Sequence, residues 1–172
     1  NSSYELVSHL IAKGHRKIAI ITTNPHLYTM NLRFEGYCRA YEQAGIPVDP
    51  ALYGVVKYEN HEQAAYEVFD GIFAEVPDVD GFFFATHILA SLFFAYCAEK
   101  GRKLDFGFAS IHEEPLYSVL APQFNVAMMP IRNMGYEAFR ILLQEIQNRS
   151  DKNRRNMAKQ GLTLSCKINF RE

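Results

Sequence analysis

The sequence has few cysteines, little bias of charge and no long apolar run. Its 172 residues carry 18 Lys and Arg against 19 Asp and Glu, which leaves a formal net charge of −1. Because the basic residues are also scattered, the chain lacks the positive surface expected of a domain that binds duplex DNA. No apolar run reaches the roughly 20 residues that a bilayer-spanning helix needs. With 48% hydrophobic and 22% charged residues, the chain is predicted to be one globular domain without membrane contact.

The three cysteines are Cys38, Cys97 and Cys166, which lie far apart and show no Cys-x-x-Cys spacing. An odd count argues against a disulfide framework, so we expect reduced, buried thiols in a cytoplasmic protein. The N-terminus has neither an initiator Met nor a signal-peptide pattern. The chain is therefore expected to be an excised part of a longer protein.

Signatures of catalysis and metal binding are also missing from the sequence. It contains no Gly-x-Ser-x-Gly elbow, no phosphate-binding glycine loop and no dinucleotide fingerprint. His61-Glu62 and His112-Glu113-Glu114 both lack the second histidine of a zinc-protease helix. We therefore expect no enzyme activity, no metal and no cofactor. An enzyme of flavodoxin-like fold is the least favoured of three possible functions, because the sequence shows no arrangement of a nucleophile and a base.

The sequence alternates short apolar segments with amphipathic ones. Predicted strands cover residues 17–22, 52–58, 81–85, 105–111 and 125–129, and predicted helices cover residues 3–13, 29–44, 64–73, 88–99 and 130–146. Short, fully apolar strands are typical of a sheet covered on both faces, and strand–helix alternation predicts right-handed crossovers. Residues 162–170 alternate between apolar and polar and are predicted to form an edge strand. The fold class is predicted to be α/β, with a doubly wound, mostly parallel sheet flanked by helices.

Ligands of doubly wound folds collect at the carboxyl ends of the strands. Tyr58, Thr86, His87 and His112 follow predicted strands, and Arg33 lies near the start of the helix after the first strand. The forked guanidinium of Arg33 can hold two hydroxyls or a carboxylate, which favours a role as the anchor of a small-molecule site. The alternative is an exposed helix arginine that pairs with a neighbouring carboxylate.

Several motifs in order resemble the effector-binding domain of LacI/GalR-family transcriptional regulators. They are residues 14–19 (GHRKIA), 33–37 (RFEGY) and 45–50 (GIPVDP), with weaker matches at 77–82, 125–130 and 134–138. The resemblance covers nearly the whole chain. It implies a periplasmic-binding-protein-like fold in which residues 1–172 form a single effector-binding and dimerisation fragment, mainly the C-terminal subdomain. The DNA-binding helix-turn-helix and most of the N-terminal subdomain would then be absent.

The same resemblance implies a set of effector contacts by position. They are Asn1, Thr29, Arg33, Tyr58, Thr86, His112, Met129 and Ile131. Two positions depart from the family: Thr86-His87 stands where Asn-Asp is usual, and His112 stands where an acceptor Asp is usual. Exchanging an acceptor for imidazole changes both the hydrogen bonds and the charge of the site. With Arg33, His87 and His112 together, we expect a ligand with an acidic group, such as a uronate or a sugar phosphate.

The resemblance further implies a ligand-sensing domain of a cytoplasmic regulator that forms a homodimer and reaches DNA only through the missing domain. Expected dimer contacts are Ile88, Leu92, Phe93, Tyr96 and Leu116, because the helix at 88–99 is apolar around more than one face. The alternative is that this helix lies deeper in the core. A rival function is a sugar-binding protein of a transport system, which shares the fold but acts outside the cytoplasm. Free cysteines argue against that rival.

Overall fold

The computed structural model describes residues 2–57, 61–149 and 161–171. In chain order the elements are α1 Ser2–Ala12, β1 Ile18–Thr22, α2 Tyr28–Gln43, a 3₁₀ helix Pro50–Leu52, β2 Tyr53–Val55, α3 His61–Glu75, β3 Gly81–Phe84, α4 His87–Lys100, β4 Gly107–Ile111, α5 Tyr117–Leu120, β5 Asn125–Met128, α6 Ile131–Arg149 and β6 Lys167–Asn169. The chain divides into two compact units, Asn1–Met128 with Ile168–Glu172 and Met129–Lys167. Each unit is described by itself below.

The six strands form one sheet in the order β2-β1-β3-β4-β5-β6. The pairs β1–β2, β1–β3, β3–β4 and β4–β5 are all parallel. Because β2 and β3 flank β1 on opposite sides, the order of strands reverses there, as in doubly wound sheets. The predicted fold class is confirmed, and β6 lies at the edge of the sheet as predicted. The second strand is shorter than predicted, because a 3₁₀ turn occupies its first residue and β2 ends at Val55.

The core lies between the sheet and helices α3 and α4. Every residue of β1, β3 and β4 is buried. On α4, the Phe93 ring lies 4.3 Å from the Phe82 ring of β3 and 5.1 Å from the Phe69 ring of α3. Phe93 therefore joins the sheet to the outer helix through two aromatic contacts, each of which adds to the free energy of burial.

Two residues expected at a dimer interface belong to this core. Phe93 and Tyr96 are both 0% exposed, and the Tyr96 hydroxyl donates to Asp70 Oδ1 on α3 at 2.6 Å. The prediction that their side chains face a partner chain is wrong, and the alternative of a deeper helix holds for them. The physical reason is that α4 is covered twice within the chain, by the sheet and by α3. Of the other expected contacts, Ile88 and Leu116 are 49% and 53% exposed.

The cysteines differ in their burial. Cys97 is buried on α4, whereas Cys38 and Cys166 are half-buried, and all three are free thiols. Burial raises the pKa of the Cys97 thiol to about 12. The expectation of buried thiols is therefore confirmed only for Cys97.

The second unit is dominated by α6, a helix of 19 residues. It begins one residue after Pro130, whose carbonyl accepts a hydrogen bond from the Met134 backbone N–H at 2.9 Å. The predicted apolar face of this helix is present, but its large side chains are 42–60% exposed. They are Ile131, Met134, Phe139, Leu142, Leu143 and Ile146. Within the described part of the chain, no helix has the length and apolar character that crossing a bilayer requires.

Replacing Phe93 with alanine is expected to lower the free energy of unfolding by about 3–5 kcal/mol, because it removes a fully buried ring and leaves a cavity. Urea unfolding followed by circular dichroism measures the change. Val119→Ala, at a position that is 75% exposed, is the matched control and should change stability by less than about 0.5 kcal/mol. Equal, small effects of the two substitutions would contradict the core position of Phe93.

Candidate functional site

The carboxyl ends of β1, β3 and β4 meet at one edge of the sheet. Ile21 pairs with Phe84 and Phe84 pairs with Ser110, so the three strands end at the same level. The Ala85 backbone N–H donates to the Ile21 carbonyl at 2.8 Å, which continues the β1–β3 ladder by one residue. Because the order of strands reverses at β1, this edge is the place where a doubly wound sheet forms a ligand crevice.

Arg33 reaches this edge from α2. It lies in the second turn of the helix, and its Nη1 donates to the Ala85 carbonyl at 2.5 Å. Two tyrosine hydroxyls hold α2 against β1. The Tyr37 hydroxyl donates to the Ile18 carbonyl and the Tyr41 hydroxyl accepts from the Ile18 N–H, both at 2.9 Å. Arg33 is half-buried, not fully exposed as in the alternative interpretation, and one of its partners is a backbone carbonyl.

A close approach of α1 allows α2 to take this position. A Cβ atom on Gly36 would lie 2.9 Å from Ser3 Cβ and 3.0 Å from the Tyr4 backbone nitrogen. Such distances are shorter than van der Waals contact, so a larger residue at this point would push α1 and α2 apart. Gly36 lies in the RFEGY motif three residues after Arg33, and the motif therefore combines a recognition group with the contact that positions its helix.

His87 and His112 form a pair at the ends of β3 and β4. Their ring centroids lie 5.1 Å apart in an edge-to-face arrangement. Nε2 of His87 is 3.5 Å from Glu114 Oε1, and the His87 carbonyl accepts a hydrogen bond from the Tyr117 hydroxyl at 2.5 Å. Burial raises the pKa of Tyr117 to about 12, so this hydroxyl remains a donor at neutral pH.

Thr86 precedes α4 in an extended conformation, and its side chain makes no capping hydrogen bond to the helix. A threonine at the N-cap position usually satisfies one of the free backbone N–H groups of the first turn. The Thr86 hydroxyl therefore does not cap the helix. Together with His87, it presents polar groups at the point where β3 leaves the sheet.

His112 has a strained backbone. Its φ is 81°, which places it as a non-glycine residue in the left-handed region. In the described part of the chain, its Nδ1 is buried without a hydrogen-bond partner. Strain of this kind costs about 1–3 kcal/mol and concentrates at functional sites, and a buried unsatisfied polar atom adds a similar cost. Both features lower the stability of the chain, and both lie at the candidate edge.

Thr22, at the end of β1, is a residue of this edge that the predicted contact set omitted. The residue is 1% exposed, and its Oγ1 is buried with no hydrogen-bond partner among the described residues. The sequence pattern treated it as the last residue of an apolar strand. A polar residue at the end of an otherwise apolar strand was the available signal, because such residues line the ligand crevice in this fold.

The other predicted contacts have different positions. Thr29 is exposed on α2, four residues before Arg33, and thus on the same side of the helix. Met129 and Ile131 belong to the second unit, and their role in binding stays a prediction. Asn1 and Tyr58 lie outside the described residues.

The charges at this edge suit the recognition of hydroxyl and acidic groups. Arg33 supplies a fixed positive charge, and His87 and His112 supply imidazoles that can donate or accept. Glu113 is held by the Arg171 guanidinium, and Glu114 lies beside His87. In the residues that the structure describes, no group of three or more His, Cys, Asp or Glu is arranged to hold a metal ion.

A larger depression of 610 Å³ lies elsewhere in the first unit. Its described lining residues all belong to α3, between His61 and Asp70. The edge with Arg33 instead brings together residues that follow several strands, as expected of a ligand crevice in this fold.

Comparison with known proteins gives a consistent family match. Residues 7–171 match the family described as periplasmic binding protein-like domain. The chain is 25% identical over 156 residues to the helix-turn-helix transcriptional repressor PurR of Haemophilus influenzae, covering 88% of the chain and 45% of that protein. It is 27% identical over 165 residues to the regulator DegA of Bacillus subtilis, covering 94% of the chain and 46% of that protein. The chain thus spans about half the length of these relatives.

Solved structures show the same fold. The complex of the transcriptional regulator CelR with cellobiose matches with a TM-score of 0.83 at 22% identity, over 99% of this chain and 50% of that one. The regulator CcpA of Lactococcus lactis matches with a TM-score of 0.80 at 20% identity, over 98% of this chain and 59% of that one. The periplasmic-binding-protein-like fold predicted from the sequence is confirmed.

Replacing His112 with glycine and, separately, with alanine separates backbone strain from the loss of the ring. Both variants lack the imidazole, but only glycine adopts a φ of 81° without a steric penalty. The glycine variant should therefore be more stable than the alanine variant by about 1 kcal/mol. Urea unfolding of the two proteins measures this difference, and equal stabilities would show that the backbone stores no strain here.

Proposed function

The chain belongs to the periplasmic binding protein-like domain family, in the form found in LacI-type transcriptional regulators, and from this premise we propose that it senses a small-molecule effector for such a regulator. The effector is a sugar or a related metabolite, and the protein acts in the cytoplasm. The observation that carries the proposal is Arg33, which reaches the carboxyl end of β3 at the reversal of strand order. The relatives reported above are transcriptional regulators, which favours this function over a transport protein.

The ligand carries an acidic group in addition to hydroxyls. Arg33, His87 and His112 bring one guanidinium and two imidazoles to the edge, and Glu114 is 3.5 Å from His87. A carboxylate or phosphate accepts charge-assisted hydrogen bonds from guanidinium and imidazolium donors, which are roughly twice as strong as neutral ones. The buried atoms Thr22 Oγ1 and His112 Nδ1 are further partners for ligand hydroxyls.

This chain supplies one side of the effector cleft. Its length is about half that of its curated relatives, and the apolar side chains of α6 are 42–60% exposed. Both observations support a second, N-terminal subdomain that carries the rest of the cleft and covers α6, with a DNA-binding domain before it. An effector that contacts both subdomains favours one of their relative placements. This shift in the conformational equilibrium would change the position of the DNA-binding domain.

Arg33→Met should weaken effector binding by roughly 10- to 150-fold, because it removes charge-assisted hydrogen bonds worth about 1.5–3 kcal/mol. Titration calorimetry of the protein at its natural full length, with glucose, glucuronate and glucose 6-phosphate as a first panel, measures the affinities. Arg39→Met is the matched control, since Arg39 lies on the same helix but stacks over Tyr4 at 4.4 Å. Tight binding of neutral hexoses alone would exclude an acidic effector, and unchanged binding in Arg33→Met would exclude this edge as the site.

A homodimer is the second part of the proposal. The exposed apolar residues at the start of α4 and around α5 form one candidate surface, which we call the α4–α5 surface. Its members are Ile88, Leu116, Val119 and Leu120, at 49, 53, 75 and 41% exposed, with the half-buried Leu92 beside them. Apolar side chains clustered at this density on a surface are typical of protein–protein contacts.

Val119→Glu should dissociate the dimer, because it places a charge within an apolar contact at a position that is 75% exposed and adds no strain to the core. Light scattering of the full-length protein gives the mass. Leu32→Glu is the control, since Leu32 is an exposed leucine on α2, at 46%, outside the α4–α5 surface. A wild-type monomer, or a dimer that survives Val119→Glu, would contradict the α4–α5 surface as the interface.

A further inference from the structure

A cavity of 260 Å³ lies at the amino-terminal edge of the sheet, opposite the effector edge. The last turn of α1 contributes His9, Lys13 follows directly after the helix, and the start of β4 contributes Gly107. His15 and Arg171 complete the set of cationic or titratable side chains around it. Among the described residues that line the cavity, none is an aspartate or a glutamate. Its lining is therefore rich in donors of positive charge, although the whole chain has a net charge of −1.

The end of α1 positions His15. Gly14 adopts a φ of 108°, its N–H donates to the Ile11 carbonyl at 3.0 Å, and the His15 N–H donates to the Leu10 carbonyl at 3.1 Å. This pair of bonds is the Schellman ending of a helix. It turns the His15 ring over Gly107, where a Cβ atom would lie 2.4 Å from His15 Nε2. The absence of a side chain on Gly107 is thus what admits the ring to the cavity.

His9 contributes a buried nitrogen without a partner. Its ring stacks on Phe170 with 4.3 Å between centroids. Its Nε2 is buried and has no hydrogen-bond partner within the described part of the chain. Burial, and next the positive charge of Lys13, lower the pKa of His9. Burial and the nearby lysine therefore both disfavour the charged form of His9.

Two of the lining side chains have a carboxylate partner. Asp80 Oδ1 lies 3.8 Å from His15 Nδ1, and its oxygens also accept hydrogen bonds from the backbone N–H groups of Arg16 and Lys17 at 2.7 and 3.0 Å. The Arg171 guanidinium is bound to Glu113. Lys13, by contrast, forms no ion pair with an acid among the described residues.

We propose that this cavity binds a small oxyanion, either phosphate or the phosphate group of a small metabolite, at a site separate from the effector edge. Lys13, His15 and His9 can each donate a hydrogen bond to a different oxygen of such an ion, and hydrogen bonds to charged oxygen are the stronger kind. A volume of 260 Å³ is close to the lower limit of small-molecule pockets, about 300 Å³. It suits an ion with a few waters or a short phosphorylated carbon chain.

Titration of the full-length protein with inorganic phosphate, and in parallel with glycerol 3-phosphate, tests the proposal. The imidazole signals of His9 and His15 are followed by NMR in chloride buffer at constant ionic strength. We expect a saturable shift of both signals and a rise in the pKa of His9, because a bound anion offsets the charge of Lys13. The ligand that binds more tightly tells whether the cavity takes the free ion or the ester.

Lys13→Met should weaken this binding about tenfold, which corresponds to the loss of one hydrogen bond to a charged ligand. Lys100→Met is the matched control, since it also removes a lysine from the end of a helix, outside the cavity. His9→Phe keeps a ring against Phe170 and removes Nε2, so it should also weaken binding while circular dichroism remains unchanged.

Arg33→Met separates this site from the effector edge and should leave the phosphate-dependent shift of His9 intact. Absence of a saturable His9 shift with both ligands would overturn the proposal. Equal losses in Lys13→Met and Lys100→Met would also overturn it, because they would indicate only a general attraction between the protein and anions. A shift lost in Arg33→Met would assign the phosphate to the effector edge instead.

Discussion

Burial of the three central strands on both faces is the constraint on which the rest of the structure depends. β1, β3 and β4 have no exposed residue, so their backbone polar groups must be satisfied by neighbouring strands. Parallel pairing meets this need but requires crossovers that carry helices to both faces of the sheet. The layer formed by α3 and α4, with Phe93 between Phe69 and Phe82, is the result on one face.

The same constraint brings the recognition groups together. All the central strands run in one direction, so their carboxyl ends lie at one edge, where the backbone leaves the sheet and polar side chains can face solvent or a ligand. Arg33 depends on this arrangement because its partner is the carbonyl of Ala85, the residue after β3. At the ends of β4 and β1, His112 and Thr22 have buried polar atoms without partners. A cost in stability is thus concentrated at the edge that is proposed to bind the effector.

The apolar residues of α4 and α6 differ in how far they are buried, although both sequences look equally suited to burial. α4 is apolar around most of its circumference and is covered by the sheet and by α3, so Phe93 and Tyr96 are fully buried. α6 has one apolar face, and the side chains on that face are about half exposed. An apolar pattern indicates which residues favour burial. The surface that buries them can lie in the same chain, in another subdomain or in another copy of the chain.

The local pattern of residues was enough to predict the parallel sheet and the helices between its strands, and the family was predicted from the resemblance of several ordered motifs. Period and composition are properties of neighbouring residues, and they place Arg33, Thr86, His87 and His112 near strand ends without knowledge of the fold. Burial depends instead on contacts between distant segments. The sequence therefore could not distinguish the core position of Phe93 from a surface one, and it gave no sign of the left-handed backbone of His112. Only the folded chain shows that one cavity is lined by His9, Lys13, His15 and Arg171. The sheet and α1 bring these residues together, although some are more than 150 positions apart in the sequence.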